Sequence, residues 1–272
     1  MSAFKQTVKR ITPAPLWAVG SGAYWGWHNR GRHNLARILS LRWGKNIRRI
    51  RQYQDIHKRK RCFIIGNGPS LKHTDLDKLR NEFTFGLNRV YLLFPQLGFT
   101  TTYYVAINEL VLEQCADEIR QLSLPKFITW RARNWFKHDE HTLFLDTDYT
   151  CTEEFSGDIT RRVFEGYTVT YMAMQVAYFM GFEEAILVGV DHNYVTPGTP
   201  NTTVVSAGDD PNHFAPGYFG KGFRWQLPDL EGSERAYRMA RRAYAQANRR
   251  IVDATVGGKL TVFPKVDYNS LF

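Results

Sequence analysis

Only three cysteines, Cys62, Cys115 and Cys151, occur in the 272 residues, and none has a paired spacing. So sparse a set excludes a disulfide framework and a zinc knuckle, and it points to a reducing compartment. Nor does any apolar run reach the ~18–20 residues that a membrane-crossing helix needs. The best early stretch, residues 15–27 (PLWAVGSGAYWGW), follows Lys5, Lys9 and Arg10, but its glycines spoil it as the apolar region of a signal peptide. Acid is nearly missing from residues 1–61, where 15 Lys and Arg stand against Asp55 alone, a net of +14. The whole chain carries +10, so the remainder carries −4. A mildly acidic body therefore bears a strongly basic arm. Such an arm attracts a polyanion: membrane headgroups, nucleic acid or an acidic partner.

What is present divides the chain in the same place. Residues 1–60 hold Trp17, Trp25, Trp27 and Trp43, four of the seven tryptophans. Leu39, Trp43, Ile47 and Ile50 make one helical stripe, with Arg42, Lys45, Arg48, Arg49 and Arg51 around the rest of the wheel. A basic amphipathic helix with tryptophans suits a bilayer interface. The plainer alternative is a helix packed on the domain with a solvated basic face. Nucleic acid is the weaker partner, because no recognition motif accompanies the charge. The expectation is a basic amphipathic extension over 1–60 that holds a cytoplasmic protein on the inner face of the cell membrane, and a single domain over 61–272. With 43% hydrophobic residues, a domain of that length can bury a core.

After Arg61 the pattern alternates. CFIIG (62–66), FTFGLN (83–88), YYVAIN (103–108), KFITW (126–130), TLFLD (142–146), EAILVGVD (184–191) and KLTVFP (259–264) read as strands. Four stretches read as helices: HTDLDKLRN (73–81), ELVLEQCADEIRQL (109–122), TVTYMAMQVAYFMG (168–181) and EGSERAYRMARRAYAQANRR (231–250). Thr74 or Asp75 is the expected N-cap of the first of these, and Ser233 that of the last. Residues 192–228, dense in Pro, Gly, Asn and aromatics, read as a long loop. The alternation predicts an α/β, Rossmann-like, doubly wound and mostly parallel sheet with helices on both faces. Such sheets bind ligands at the carboxyl ends of their strands.

Those ends carry Gly66-Asn67-Gly68-Pro69-Ser70, then Asn88, then Asn108, and further on Asp191-His192-Asn193-Tyr194. An asparagine amide both donates and accepts, so it can read a ribose, a base edge or a phosphate. Gly66 and Gly68 would let the backbone approach a ligand. Asn and Gly also favour ordinary turns after strands, which is the plainer reading of each. The first loop is neither G-x-G-x-x-G nor a Walker A motif, so phosphates need other donors. The segment 192–228 offers Tyr194, Asn212, His213, Tyr218, Lys221, Arg224 and Trp225, and reads as a lid. A base for a hydroxyl proton could be His213, within DDPNHF (209–214), or His192. Asp146-Thr147-Asp148 is a D-x-D of the kind that holds a divalent ion in many glycosyltransferases, and it is also an ordinary strand end.

CFIIGNGPSL (62–71), FGLNRVYL (85–92) and the run 168–194, TVTYMAMQVAYFMGFEEAILVGVDHNY, together resemble the bacterial family 42 sialyltransferases. They are equally similar to the related domain of motility-associated flagellin glycosyltransferases, and archaeal-type 6-hydroxymethylpterin pyrophosphokinases share that domain. The resemblance spans about 61–272 and is weakest over 120–165. It implies a Rossmann-like transferase that moves a sialic-acid-like sugar from a CMP-activated donor, with inversion and with neither metal nor cofactor. The acceptor it implies is a glycan or glycolipid of the cell envelope. Asn67, Asn88 and Asn108 fall where that family holds the nucleotide, within a set that includes Gly66, Gly68, Pro69, Ser70 and Asp191. Thr168 matches a donor-contacting threonine, but Val169 stands where the family has a serine. Asn193 occupies the place of the first of two phosphate-binding tyrosines, with Tyr194 one residue on, and Tyr218 is the candidate for the second. His213 matches the family's base. The alternatives are an ATP-dependent diphosphokinase, with Mg²⁺ giving Asp146, Asp148, Asp191 or Asp209 a role, and a non-catalytic scaffold for envelope assembly. If the basic arm binds a membrane, deletion of residues 1–50 will release the protein from anionic vesicles in a flotation assay; persistent binding would reduce the arm to a packing element.

Overall fold

Cys62-Phe63-Ile64-Ile65 and Ala185-Ile186-Leu187-Val188 are unbroken apolar runs, as strands covered on both faces must be. In the computed structural model, which describes residues 37, 40–149, 154–194, 198–208 and 210–272, they form adjacent parallel strands. These are β1 (Arg61–Ile65) and β7 (Glu184–Val188). Between them in sequence come β2 (Thr84–Leu87), β3 (Tyr103–Ala106), β4 (Lys126–Thr129), β5 (Thr142–Asp148) and β6 (Arg162–Phe164). After them come β8 (Thr203–Val205), β9 (Arg224–Gln226) and β10 (Arg250–Asp253). The main sheet has eight strands in the order β10-β7-β1-β2-β3-β4-β5-β6, and every pairing is parallel. This is the Rossmann-like α/β sheet the alternation predicts. Trp17, Trp25, Trp27, Leu39, Cys151 and Asp209 lie outside the described residues.

The chain runs outward from β1 to β6, then returns on α4 (Val169–Phe179) to place β7 on the other side of β1. Helix α4 packs across β1, β2, β3 and β6, and nearly all its residues are buried, which explains its apolar sequence on every side. Strand order reverses between β1 and β7, so a crevice opens at their carboxyl ends.

Several elements differ from their sequence reading. The segment 73–81 is not an α-helix but part of two 3₁₀ turns, Pro69–His73 and Leu76–Leu79, and neither Thr74 nor Asp75 caps with its side chain. The segment 109–122 breaks at Cys115 into α2 (Glu109–Gln114) and α3 (Ala116–Arg120). Helix α5 (Leu230–Gln246) is capped by Asp229, which accepts from Gly232 N at 2.7 Å; Ser233 instead donates its hydroxyl to the Asp229 carbonyl. The last strand is β10, not 259–264: Arg250–Asp253 takes the free edge of β7. Leu260, Val262 and Phe263 are buried without joining the sheet, and only Lys265 bridges to Asp253. The segment 192–228 is not simply a loop, since β8 and β9 pair antiparallel within it.

Residues 46–272 form one compact unit. The helix read at the end of the basic extension is observed as α1 (Leu41–Arg51). Ile50 is fully buried in the core, and Asn46, only 2% exposed, reaches the backbone of β5. Its Nδ2 donates to Phe144 O at 2.7 Å and its Oδ1 accepts from Phe144 N at 2.9 Å, so a side-chain amide stands in for a neighbouring strand. A truncation meant to test the arm must therefore stop short of Leu41. Among the described residues no helix is long and apolar enough to cross a membrane. Asn46→Ala strands a buried N–H and a buried carbonyl, and it should cost about 2–3 kcal/mol in urea unfolding; an unchanged midpoint would show that α1 is dispensable.

Candidate functional site

A cavity of ≈ 730 Å³ lies over the carboxyl ends of the central strands. Its walls include Gly66, Asn67 and Gly68 after β1, Asn88 after β2, Asn108 after β3, and Asp191, His192, Asn193 and Tyr194 after β7. Thr168 and the segment 192–228, through Asn212, His213 and Trp225, complete it. Predicted residues that do not line the cavity include Pro69, Ser70, Tyr218 and, among the expected phosphate donors, Arg224, which pairs with Glu113 at 2.8 Å. Lys221 is exposed away from the lining as well.

The two loops of the crevice are held by steric fit. A Cβ on Gly66 would collide with the carbonyl of Gly189, and one on Gly68 with the Asp191 carboxylate. The glycines therefore admit β7's loop, where a close approach to a ligand was expected from the sequence. Gly68 N donates to Gly189 O at 2.9 Å. Ser70 donates to Asp191 twice, from its amide at 3.0 Å and its hydroxyl at 2.7 Å. Burial raises the Asp191 carboxyl above its ordinary range, and these two bonds oppose that rise. Ser70 and Pro69 thus act behind the wall: Pro69 opens the 3₁₀ turn and Ser70 fixes Asp191.

The three asparagines separate once their partners are known. Asn108 caps α2, its Oδ1 accepting from Leu110 N at 2.9 Å, and its Nδ2 donates to Gln226 at 3.3 Å. Thr168 caps α4 in the same way, through Thr170 N. Asn67 and Asn88 are different: the Oδ1 of each is buried and has no hydrogen-bond partner. Asn88 also sits at φ +47°, the left-handed region that asparagine tolerates better than most residues. An unpaired buried amide oxygen is costly in a dry protein, and because both asparagines line the cavity a ligand N–H or O–H would relieve that cost.

His213 stands beside them, because Phe214 N donates to the Asn67 carbonyl at 2.9 Å. Its Nδ1 lies 2.7 Å from Asp210 Oδ2, and its ring stacks on Tyr218 at 4.0 Å with an interplanar angle of 3°. Asp210 Oδ2 accepts a hydrogen bond from Nδ1–H, which leaves Nε2 with its lone pair free. Tyr218 is fully buried behind that ring, and its hydroxyl accepts from Arg89 N at 3.2 Å. His192, at φ +54°, pairs with Glu234 at 3.1 Å. Both candidate bases are thus carboxylate-oriented. Asp210 and Glu234 were not singled out by sequence reasoning, although D-x-x-H within DDPNHF was the available signal for Asp210.

At the other end of the cavity is a cluster with no sequence motif. Arg131 donates to Glu109 at 2.5 Å, to Glu165 at 2.7 Å and to Thr147 Oγ1 at 2.8 Å. Burial alone would weaken its charge, but Glu165 and Glu109 more than restore it. Residues 109, 131 and 165 meet only through the sheet, so no local pattern could disclose them. Among the described lining residues the acids are Glu109, Glu165, Asp191 and Asp229, and Arg131 is the single Lys or Arg. Positive potential comes instead from the N-termini of α4 and α5, which border the cavity. Asp146 and Asp148 lie off the cavity, 3.7 and 3.6 Å from Arg162.

Comparison with known proteins agrees with this architecture. The family described as 6-hydroxymethylpterin diphosphokinase MptE-like matches residues 33–197. No curated protein matches the sequence. A solved structure, the MAf glycosyltransferase from Magnetospirillum magneticum AMB-1, superposes with a TM-score of 0.50 at 16% identity. The match covers 86% of this chain but 40% of that one, so the chain spans well under half the length of the glycosyltransferase. Gly68→Ala should lower unfolding stability by about 1–3 kcal/mol, and the loss should shrink in the Gly68→Ala/Asp191→Ala double variant; additive losses would show that the two residues do not share the contact.

Proposed function

The chain belongs to the 6-hydroxymethylpterin diphosphokinase MptE-like family, and on that premise we propose that it is a glycosyltransferase using a CMP-activated, sialic-acid-like donor. The observation that carries this reading is the pair of unpaired buried oxygens, Asn67 Oδ1 and Asn88 Oδ1, beside the His213–Asp210 pair in one cavity. A carbonyl oxygen repels phosphate oxygens but accepts from ribose hydroxyls or a cytosine amino group. Asn67 and Asn88 therefore hold the nucleoside, and the single phosphate faces the N-terminal end of α4 near Thr168. The MAf glycosyltransferase shares the fold, which is compatible with the reading without deciding it.

In the proposed reaction an acceptor hydroxyl attacks the anomeric carbon from the face opposite the phosphate. The bond from carbon to phosphate oxygen breaks with its electrons on CMP, and the configuration inverts. His213 Nε2 takes the hydroxyl proton, and Asp210 stabilises the imidazolium that forms. Asn193 and Tyr194 line the cavity on the Asp191 side, within the same loop, and are proposed to donate to the departing phosphate. The acceptor is a glycan or glycolipid of the envelope, and residues 1–60 act as the extension that brings domain 61–272 to the inner membrane face. Within it, Arg48 and Arg51 are exposed, in keeping with that role.

The family's description favours a second reading, transfer of diphosphate from ATP to a pterin alcohol with Mg²⁺. Electrostatics weighs against it. Among the described residues, the cavity that a triphosphate would enter is lined by four carboxylates and one guanidinium, and that guanidinium is already paired. The carboxylates are also engaged: Asp191 by Ser70, Asp229 by Gly232, and Glu109 and Glu165 by Arg131.

Calorimetric titration with CMP and then ATP, each with and without Mg²⁺, separates the two. The expected result is CMP binding that ignores Mg²⁺, weakened about tenfold or more in Asn67→Ala by loss of a buried hydrogen bond. His213→Ala should keep that affinity and lose about 10²–10⁴ in turnover. Mg²⁺-dependent ATP binding would select the diphosphokinase, and binding of neither nucleotide would leave a scaffold or a different donor.

A further inference from the structure

The cluster at the far end of the cavity has no part in holding the nucleotide, yet it carries two exposed aromatic side chains. Tyr149 is 40% exposed and Tyr167 is 37% exposed, and both line the cavity. They belong to one connected construction. The Arg131 guanidinium lies over the Tyr149 ring at 5.2 Å and donates to Glu165, two residues before Tyr167. Glu165 N in turn donates to the carbonyl of Asp148, next to Tyr149, at 2.9 Å.

Tyr167 is held in a conformation that its own chemistry disfavours. Its φ is +64°, a region that a bulky side chain rarely adopts. Its ring rests against Gly232, where any Cβ would collide with it, and the Arg235 guanidinium lies 6.0 Å from its centre. A strained backbone and a bare glycine together present an aromatic face to the cavity instead of to the core. The neighbouring charged groups are Glu165 and Glu109, the latter half-exposed beside Arg131, and Arg235, which Glu231 pairs at 2.9 Å. Two carboxylates around one guanidinium leave a local charge of about −1, which disfavours an anionic ligand over Glu109 and Tyr149, where among the described residues no helix N-terminus of the length of α4 offsets it.

Taken together, we infer that Tyr149, Tyr167 and Glu109 form the acceptor subsite, and that it takes a neutral carbohydrate ring. The inference rests on the glycosyltransferase reading of the cavity. A pyranose has an apolar C–H face and an equatorial rim of hydroxyls. The tyrosine rings cover the face, as aromatic surfaces do at ligand grooves. Glu109 accepts from a rim hydroxyl. The acidic cluster makes the subsite selective: a neutral sugar enters, and a sulfated, phosphorylated or uronic acid sugar is repelled.

Saturation-transfer NMR on the full chain tests this, with CMP present at saturation. The probes are a panel of neutral hexoses, N-acetylhexosamines and their disaccharides, with glucuronate and glucose 6-phosphate as anionic controls. Transfer is expected to the C–H protons of at least one neutral sugar and to neither anion. Tyr149→Ala and Tyr167→Asn should each weaken the sugar about tenfold. Asparagine tolerates the left-handed backbone, so the second variant removes the ring without adding strain. CMP affinity, read by calorimetry, should stay within about twofold in both variants. Unchanged sugar transfer in both variants, stronger transfer to the anions, or no transfer to any neutral sugar while CMP binds would each overturn the subsite. Failure of CMP to bind the unaltered protein would overturn the underlying reading, and the subsite with it.

Discussion

The closest approach in the crevice is between the loop after β1 and the loop after β7, and the rest of the site is arranged around it. Gly66 and Gly68 leave no room for a side chain on one side, and Gly189 and Asp191 fill that space from the other. Ser70 then fastens Asp191 by two hydrogen bonds. Because both loops are locked to each other, Asn67 is held with its amide oxygen buried and without a hydrogen-bond partner. The same loop offers its carbonyl to Phe214, which brings His213 to the edge of the cavity. One steric constraint thus positions the Asn67 amide and the His213 imidazole, from segments about 146 residues apart in the chain, at one cavity.

Electrostatics gives the cavity its character. Among the described lining residues acids outnumber bases, and the one guanidinium is shared by two glutamates. Positive potential at that lining is supplied by backbone, at the N-termini of α4 and α5. Such a surface suits one phosphate at a fixed place better than a polyphosphate chain. The described lining also includes an amide-bearing part after β1 and β2 and an acid-and-tyrosine part after β3, β5 and β6. The proposed donor and acceptor positions follow that division.

Much of the fold was legible because buried parallel strands write themselves as apolar runs. β1, β3 and β7 are such runs, and α4, buried all round, is another at helical length. Failures came where tertiary contacts decide the element. Arg250–Asp253 is too short and too polar at its start to stand out from the end of α5, and only the open edge of β7 makes it a strand. The apolar residues of 259–264 fill the core without pairing, so their composition was read as a strand that the sheet had no place for. Asn46 looked like one more polar residue of a basic helix until the backbone of Phe144 gave it both of its partners.

The strand-end loops and the lid histidine were readable from the chain alone, since turn residues after apolar runs mark where a parallel sheet opens. Sequence alone also determined the fold class and the separation of a basic arm from a mildly acidic domain. It could not say which asparagine is structural and which is left unpaired. Asn108 and Asn88 look alike in sequence, yet one caps a helix and the other keeps a buried oxygen without a partner. Nor could it assemble Glu109, Arg131 and Glu165, or pair His192 with Glu234. Those decisions belong to tertiary structure, because a hydrogen-bond partner is fixed by distance in space, and spacing along the chain carries that information only within a single turn or strand.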